Sequence, residues 1–248
     1  VNLGVLEWAN RTGGWTDPFR GRLVNRGVWR KTTNEWVELE NATLVNEAGG
    51  VLELAAGSLY RYSGSAVLQN EGLVKKVSST SVSLSAMTIA GSGRVQVVEG
   101  TLQLENCTLS GASVQVEQGV LYWYGAASGT VRVVSGGVVV NGNLTVADGA
   151  TLQIESAGQL QWTVGNFTVG SNAQVVNLGV LEWANRTGYY DLFRGRLVNR
   201  GVWRKTTNER VELENATLVN EAGGVLELAA GSLYRYSGSA VLQNSGLV

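Results

Sequence analysis

Seven asparagines stand in the pattern Asn-x-Thr, the acceptor sequence for N-linked glycans in secreted proteins. In sites such as Asn41-Ala-Thr and Asn166-Phe-Thr the middle residue is apolar, so strand alternation turns the Asn and the Thr outward together. The alternative is that these are ordinary surface residues, which a bacterial protein would leave bare. We predict N-glycosylation, in two columns of acceptors, at Asn10, Asn41, Asn106, Asn143, Asn166, Asn185 and Asn215.

Residues that could do catalysis are scarce. Glycoside hydrolysis normally needs two carboxylates a few ångströms apart, and the chain has only Asp17, Asp148 and Asp191 beside its glutamates. Asp17 and Asp191 are predicted to be equivalent loop residues, and Asp148 lies in an Ala-Asp-Gly turn sequence. There is no His to act as a general base or zinc ligand, and the Asp-rich spacing of calcium-binding repeats is absent. We expect no catalytic, cofactor-binding or metal site.

Charge and hydropathy exclude further classes of partner. The net charge is −1, and Lys and Arg alternate with Glu, so no basic stripe is available for nucleic acid. Every Lys and nearly every Arg is predicted to lie in a repeated column with Glu neighbours. Apolar runs such as Val138 to Val140 are strand-sized, so no membrane span is expected. The lone Cys107 is predicted to point into the core, a reactive thiol being the alternative.

The elements that position these residues belong to a long tandem repeat. Residues 1–19 return as 176–193, and residues 20–74 return as 194–248, which gives a period of about 175 residues. Residues 14–18 are predicted to form a loop that residues 189–192 replace in the second copy. Outside this loop, the copies differ only where Trp36 becomes Arg210 and Glu71 becomes Ser245. We interpret residues 1–248 as one continuous solenoid, with residues 1–175 as one full repeat and residues 176–248 as the start of the next.

A shorter period lies inside the long one. A glycine followed by an apolar-rich segment recurs about every 22 residues, for example at Gly4, Gly27, Gly50 and Gly72. Each interval holds two or three strand-like pieces, and about eight intervals of about 22 residues fill one long repeat. The pattern predicts an all-β protein, a parallel β-helix or β-solenoid with about 22 residues per rung and about 8 rungs per repeat.

Alternation within these pieces predicts the register between rungs. The second residue after each start forms a uniformly apolar column, and the next residue forms a column in which opposite charges often adjoin. The apolar column contains Leu6, Trp29, Leu52, Val74, Val95, Val114, Val138, Leu160 and Leu181. Corresponding residues of successive rungs should therefore lie one above another.

Four segments carry an Asn at a predicted turn: Leu23-Val-Asn-Arg-Gly, Leu44-Val-Asn-Glu, Leu68-Gln-Asn-Glu-Gly and Val175-Val-Asn-Leu-Gly. With the rung length, they resemble the pectin-lyase-like, right-handed parallel β-helix superfamily and the β-solenoid segments of fibrous and cell-surface proteins. The resemblance implies a right-handed helix and asparagine ladders from rung to rung. The alternative is that Asn only tolerates the turn backbone. The superfamily includes polysaccharide lyases and hydrolases, so a carbohydrate-active enzyme is retained as a third hypothesis.

The stretch from Ala9 to Gly21 interrupts the pattern and is predicted to be a loop that emerges from its rung. It contains Trp15, Phe19 and Arg20, and the second copy has Tyr189 and Tyr190 there instead. These side chains would cover an open solenoid face or contact a sugar or neighbouring filament.

These observations predict a structural protein rather than an enzyme. We expect an extracellular or cell-surface fibre whose repeats continue head to tail, with copies of itself along the axis as partners and covalent N-glycans on its surface. The stalk of a cell-surface adhesin is the alternative.

Overall fold

The computed structural model describes residues 1–8, 18–186 and 191–248. All regular elements in these ranges are β-strands. The described residues therefore contain no helix that could cross a membrane. The chain forms two compact units, Val1–Tyr122 and Trp123–Val248.

The first unit contains nine strands and the beginning of a tenth. They are β1 (Val5–Trp8), β2 (Phe19–Asn25), β3 (Val28–Lys31), β4 (Trp36–Asn46), β5 (Val51–Leu54), β6 (Ser58–Asn70), β7 (Leu73–Ser85), β8 (Thr88–Ala90), β9 (Arg94–Ser110) and β10 (Ser113–Ser128).

The second unit contains the end of β10 and ten further strands. They are β11 (Thr130–Val146), β12 (Thr151–Val164), β13 (Phe167–Val169), β14 (Gln174–Asn177), β15 (Val180–Trp183), β16 (Asp191–Asn199), β17 (Val202–Lys205), β18 (Arg210–Asn220), β19 (Val225–Leu228) and β20 (Ser232–Asn244).

A complete coil has three strand segments, which we call sides A, B and C; in the second unit residues 151–154, 159–162 and 167–169 form these sides of one coil. Residues 42–46, 51–54 and 58–63 form sides A, B and C of one coil, and residues 66–70, 73–76 and 81–85 form those of the next. Long strands such as β4 bend at a corner and supply side C of one coil and side A of the next. The pairings of β3, β4 and β5 with the following coil are all parallel, so these backbone ladders run from coil to coil.

The register on side B confirms the predicted stacking. In the first unit the Cα partners follow the series Leu6, Trp29, Leu52, Val74 and Val95. In the second unit the partners are Val138, Leu160, Leu181, Trp203 and Leu226. Both units are therefore parallel β-solenoids with about 22 residues per turn, the repeat length that the sequence predicts.

Asparagine ladders occupy the corner between sides A and B and confirm the predicted stacking of turn residues. In the first unit the Asn46 Nδ2 donates to Asn70 Oδ1 at 2.8 Å, and both side chains are 1% exposed. The same Nδ2 also donates to the Gly50 carbonyl at 3.1 Å, so the amide holds its own turn as well as the next coil. The full ladders are Asn2, Asn25, Asn46 and Asn70 in the first unit and Asn177, Asn199, Asn220 and Asn244 in the second.

The core consists of the inward residues of all three sides. Along β5 and β15 the burial alternates residue by residue, as expected of strands with one face in a core. Aromatic rings fill much of the second unit, where Trp183 lies 4.8 Å from Trp203 and 5.2 Å from Phe193 between ring centroids. Burial of such rings contributes about 1.5–3 kcal/mol for each large side chain.

The predicted loop from Ala9 to Gly21 needs a correction at its end. Phe19 and Arg20 belong to β2 and pair with Leu39 and Glu40 in the next coil. Phe19 also packs edge-on against Trp8, with 5.5 Å between ring centroids. Phe19 and Arg20 are therefore strand residues and not part of a loop. Trp15, Tyr189 and Tyr190 lie outside the described residues.

Candidate functional site

Three of the predicted glycan acceptors lie at the corner between side C and side A. Asn41, Asn106 and Asn215 are exposed, with φ angles of 48°, 51° and 47°. This left-handed conformation is unfavourable for most side chains and is better tolerated by Asn. The apolar residue that follows each acceptor is buried, which turns the Asn outward: Ala42, Cys107 and Ala216.

The corner at Asn41 shows how the acceptor side chain is held. The Ser65 N–H of the next coil donates to Asn41 Oδ1 at 3.3 Å, and Ser239 makes the equivalent bond to Asn215 at 3.4 Å. Gly64 has a φ of 63°, which favours glycine, and a Cβ there would lie 2.2 Å from Asn41 Oδ1 and would displace the acceptor side chain. The bond uses Oδ1 and leaves Nδ2, the atom that carries an N-glycan, outside this contact.

Two further acceptors, Asn143 and Asn166, lie at the corner between side B and side C. Both are exposed, and the residues after them, Leu144 and Phe167, are fully buried. Leu144 and Phe167 are Cα partners, so the two acceptors stand in neighbouring coils. The Asn166 N–H donates to Asn143 Oδ1 at 2.8 Å. The five exposed acceptors thus lie on two corners, one at each end of side C.

Asn185 is placed differently from the other acceptors. It is 1% exposed, and its Nδ2 donates to Asp191 Oδ2 at 2.7 Å. A glycan on this nitrogen would require the buried side chain to leave its place beside Asp191. Asn10, the remaining predicted acceptor, lies outside the described residues.

The aspartates hold the backbone. Asp148 lies in a turn, as predicted, and its Oδ1 accepts the Ser171 N–H at 2.8 Å. The prediction of Asp191 as a loop residue is wrong, because it begins β16 and is 2% exposed. Its Oδ1 accepts the Gly165 N–H at 2.7 Å, and burial raises the pKa of its carboxyl. Asp17 lies outside the described residues.

Three lysines are buried, which corrects the prediction that every Lys lies in a column with Glu neighbours. Lys31, Lys76 and Lys205 are 0% exposed, and burial lowers the pKa of each ammonium group. Each Nζ donates to the carbonyl and the hydroxyl oxygen of the residue two positions later, with Nζ–hydroxyl distances of 2.8 to 2.9 Å. These residues are Thr33, Ser78 and Thr207. The three ammonium groups therefore bind, from within the core, the backbone segment that follows side B.

Strand parity is the signal that could have located these lysines. Trp29 points inward and Arg30 outward, so Lys31 must point inward again. Arg30 keeps its predicted place outside, where its Nε lies 2.6 Å from Glu53 of the next coil.

Cys107 points into the core, as predicted. It is 0% exposed, and its Sγ donates to the Leu84 carbonyl at 3.1 Å. Burial raises the pKa of the thiol to about 11, which suppresses the reactive thiolate at neutral pH. Among the described residues, no group of three or more His, Cys, Asp or Glu side chains is arranged to hold a metal ion.

No family model matches the chain, and no curated protein matches it. Among solved structures, it is similar to the crystal structure of a TibC-catalysed hyper-glycosylated TibA fragment, TibA55-350. The TM-score is 0.30 and the sequence identity 15%, with 97% of each chain covered. A likeness of this size carries no inference about the function of the present chain.

Proposed function

We propose that the chain is part of an extracellular structural fibre built from tandem β-solenoid repeats. The observation that carries this proposal is the duplication of coil-to-coil contacts. Asn25, Asn46 and Asn70 form one ladder, and the same residues of the second copy, Asn199, Asn220 and Asn244, form another with bond lengths of 2.7 to 2.8 Å. The repeated residues thus serve to join each coil to the next.

Ion pairs on the outside follow the same plan. Arg26 of the first copy lies 2.6 Å from Glu47, and the equivalent Arg200 lies 2.6 Å from Glu221. A chain whose repeated ladders and ion pairs connect successive coils gains length by adding coils. Since parallel strands are spaced about 4.8 Å apart, eight coils would add about 38 Å per repeat.

Electron microscopy of the native assembly tests the fibre. We expect filaments whose length grows in proportion to the number of long tandem repeats. Compact particles whose dimensions do not change with repeat number would rule the fibre out.

A catalytic role is not part of this proposal, because Asp148 and Asp191 are both engaged in backbone hydrogen bonds.

N-glycans on the two outer corners are the second part of the proposal. The exposure of Asn41, Asn106, Asn143, Asn166 and Asn215, each followed by a buried residue, supports it. Glycans at these corners would shield the solenoid from lateral association and proteolysis.

Peptide mapping of the native protein after treatment with an amidase tests the glycans. The amidase converts each glycosylated Asn into Asp, so we expect the conversion at exposed acceptors and none at Asn185. An intact mass that does not change on treatment would disprove N-glycosylation and leave the fibre proposal untouched.

The stalk of a surface adhesin is a second candidate. A stalk would use the same coil-to-coil contacts to hold a binding segment that lies outside the repeats. Binding of the full-length protein to cells through a segment outside the repeats would support the stalk, whereas repeats that account for all the binding would not.

A further inference from the structure

Side C of the first unit carries an aromatic wall. Trp36 and Tyr60 project outward from neighbouring coils, with 5.4 Å between ring centroids and an interplanar angle of 76°. The Tyr60 hydroxyl donates to Glu38 Oε1 at 2.6 Å, which fixes the phenol beside the indole. Burial and this bond raise the pKa of Tyr60 to about 12, so the hydroxyl keeps its proton at physiological pH.

The next two coils make the floor and the opposite wall of a groove. Ser58 is the Cα partner of Ser83, and Tyr60 is the partner of Ser85, so small hydroxyl side chains follow the aromatic rings. Ser83 and Ser85 are in turn paired with Gln103 and Glu105. The groove has a volume of about 330 Å³ and is lined by side chains of four successive coils.

The chemistry of this groove fits a neutral sugar. A pyranose ring offers apolar C–H groups, which pack on indole and phenol rings, and hydroxyls, which exchange hydrogen bonds with Ser, Gln and Glu side chains. Binding sites typically combine aromatic surface with a few placed polar groups in this way. The described residues that line the groove include Glu105 and no Lys or Arg, so a saccharide that carries carboxylates would meet repulsion.

We propose that the groove formed by Trp36, Ser58, Tyr60, Ser85, Gln103 and Glu105 binds a short neutral pyranose oligosaccharide. This function goes beyond the structural one and does not depend on it.

The second copy provides a natural variant of the aromatic wall. Arg210 replaces Trp36 there, and its guanidinium lies 4.7 Å from the ring centroid of Tyr234. Arg210 also bonds to Glu212 at 2.8 Å. In the second copy this surface thus presents a cation over the phenol in place of an indole. The equivalent coil of that copy therefore already accommodates the residue that Trp36→Arg introduces.

Ligand-observed NMR on protein made in bacteria, and so free of N-glycans, tests the proposal. The probes are cellotetraose and mannotetraose as neutral tetrasaccharides and tetragalacturonate as an acidic one of the same length. We expect saturable binding of at least one neutral probe, at least tenfold weaker binding of tetragalacturonate, and at least tenfold loss in Trp36→Arg. Arg210→Ala, in the second copy, is the matched control and should bind like the unaltered chain.

Three results would overturn the proposal. They are the absence of saturable binding of both neutral probes, binding of tetragalacturonate as tightly as the neutral probes, and unchanged binding in Trp36→Arg. Circular dichroism of each variant shows whether the solenoid is intact. Because the protein carries no glycans, none of these outcomes bears on the glycosylation test.

Discussion

The two copies of the repeat contain the same strands in different surroundings. β6 and β20 share the sequence SLYRYSGSAVLQN, yet Leu68 in β6 is 0% exposed and the equivalent Leu242 in β20 is 48% exposed. At the start of the copies it is the first copy that is exposed: Leu6 is 37% exposed, and the equivalent Leu181 of the second copy is buried. A solenoid coil therefore does not bury its own apolar face. Burial is supplied by the coils on either side.

The largest expected difference is that between Leu68→Ala and Leu242→Ala. Leu68 is paired with Leu44 on one side and Ile89 on the other, whereas Leu242 is paired with Leu218. Truncation of a leucine that is enclosed on both sides should lower the free energy of unfolding by about 2–5 kcal/mol. In a protein made of residues 1–248 alone, truncation of the exposed Leu242 should cost under about 1 kcal/mol.

Urea unfolding followed by circular dichroism measures both values. Equal losses in the two variants would mean that the single coil, rather than the stack, provides the core.

The asparagine ladder allows a second, smaller test. Asn70 is 1% exposed and accepts the Asn46 Nδ2 at 2.8 Å, while the equivalent Asn244 is exposed and accepts the Asn220 Nδ2 at 2.7 Å. Asn70→Ala removes the Oδ1 acceptor at 2.8 Å from the buried Asn46 Nδ2, which keeps only its longer bonds to the Gly50 and Leu73 carbonyls, and this loss should cost about 1–3 kcal/mol. In a protein made of residues 1–248 alone, water replaces the lost partner in Asn244→Ala, so its free energy of unfolding should change by about 0.5 kcal/mol or less.

Denaturant midpoints of the two alanine variants give this comparison. A loss in Asn244→Ala as large as that in Asn70→Ala would show that the ladder acts independently of burial.

The smallest effect is expected where the two copies have the same surroundings. The side chains of Arg26 and Arg200 are 55% and 52% exposed, and each lies 2.6 Å from its glutamate in the next coil. Arg26→Ala and Arg200→Ala should therefore shift the melting temperature equally and by less than the variants above. Salt at about 1 M should abolish the shift, because exposed ion pairs are screened.

Thermal melts at low and high salt test this equality. A shift that differs between the copies, or that persists in high salt, would indicate a role beyond the ion pair.

The sequence predicted the coil register because two simple periods agree. Alternation within a strand and the regular recurrence of glycine together place Leu6, Trp29 and Leu52 in one column, as the structure shows. The same alternation places Lys31 inside, whereas the charge of a lysine favours the solvent. Internal hydrogen bonds to Thr33 make that placement tolerable.

Other features needed the register of all three sides. Asp191 was predicted to lie in a loop because its neighbours differ between the copies, while its burial depends on bonds to Asn185 and Gly165. The groove was missed for a similar reason. Trp36 and Ser83 are far apart in sequence, and they line one groove only once side C is stacked.

The constant coil register also has a kinetic and evolutionary consequence. Paired residues on side B have nearly the same separation in sequence wherever they occur in the chain. The entropy lost in closing each coil is thus the same for a chain of any length, and folding can extend from any coil already formed. Unequal recombination between gene repeats can then lengthen or shorten the protein by whole coils, and no distant contact has to be rebuilt.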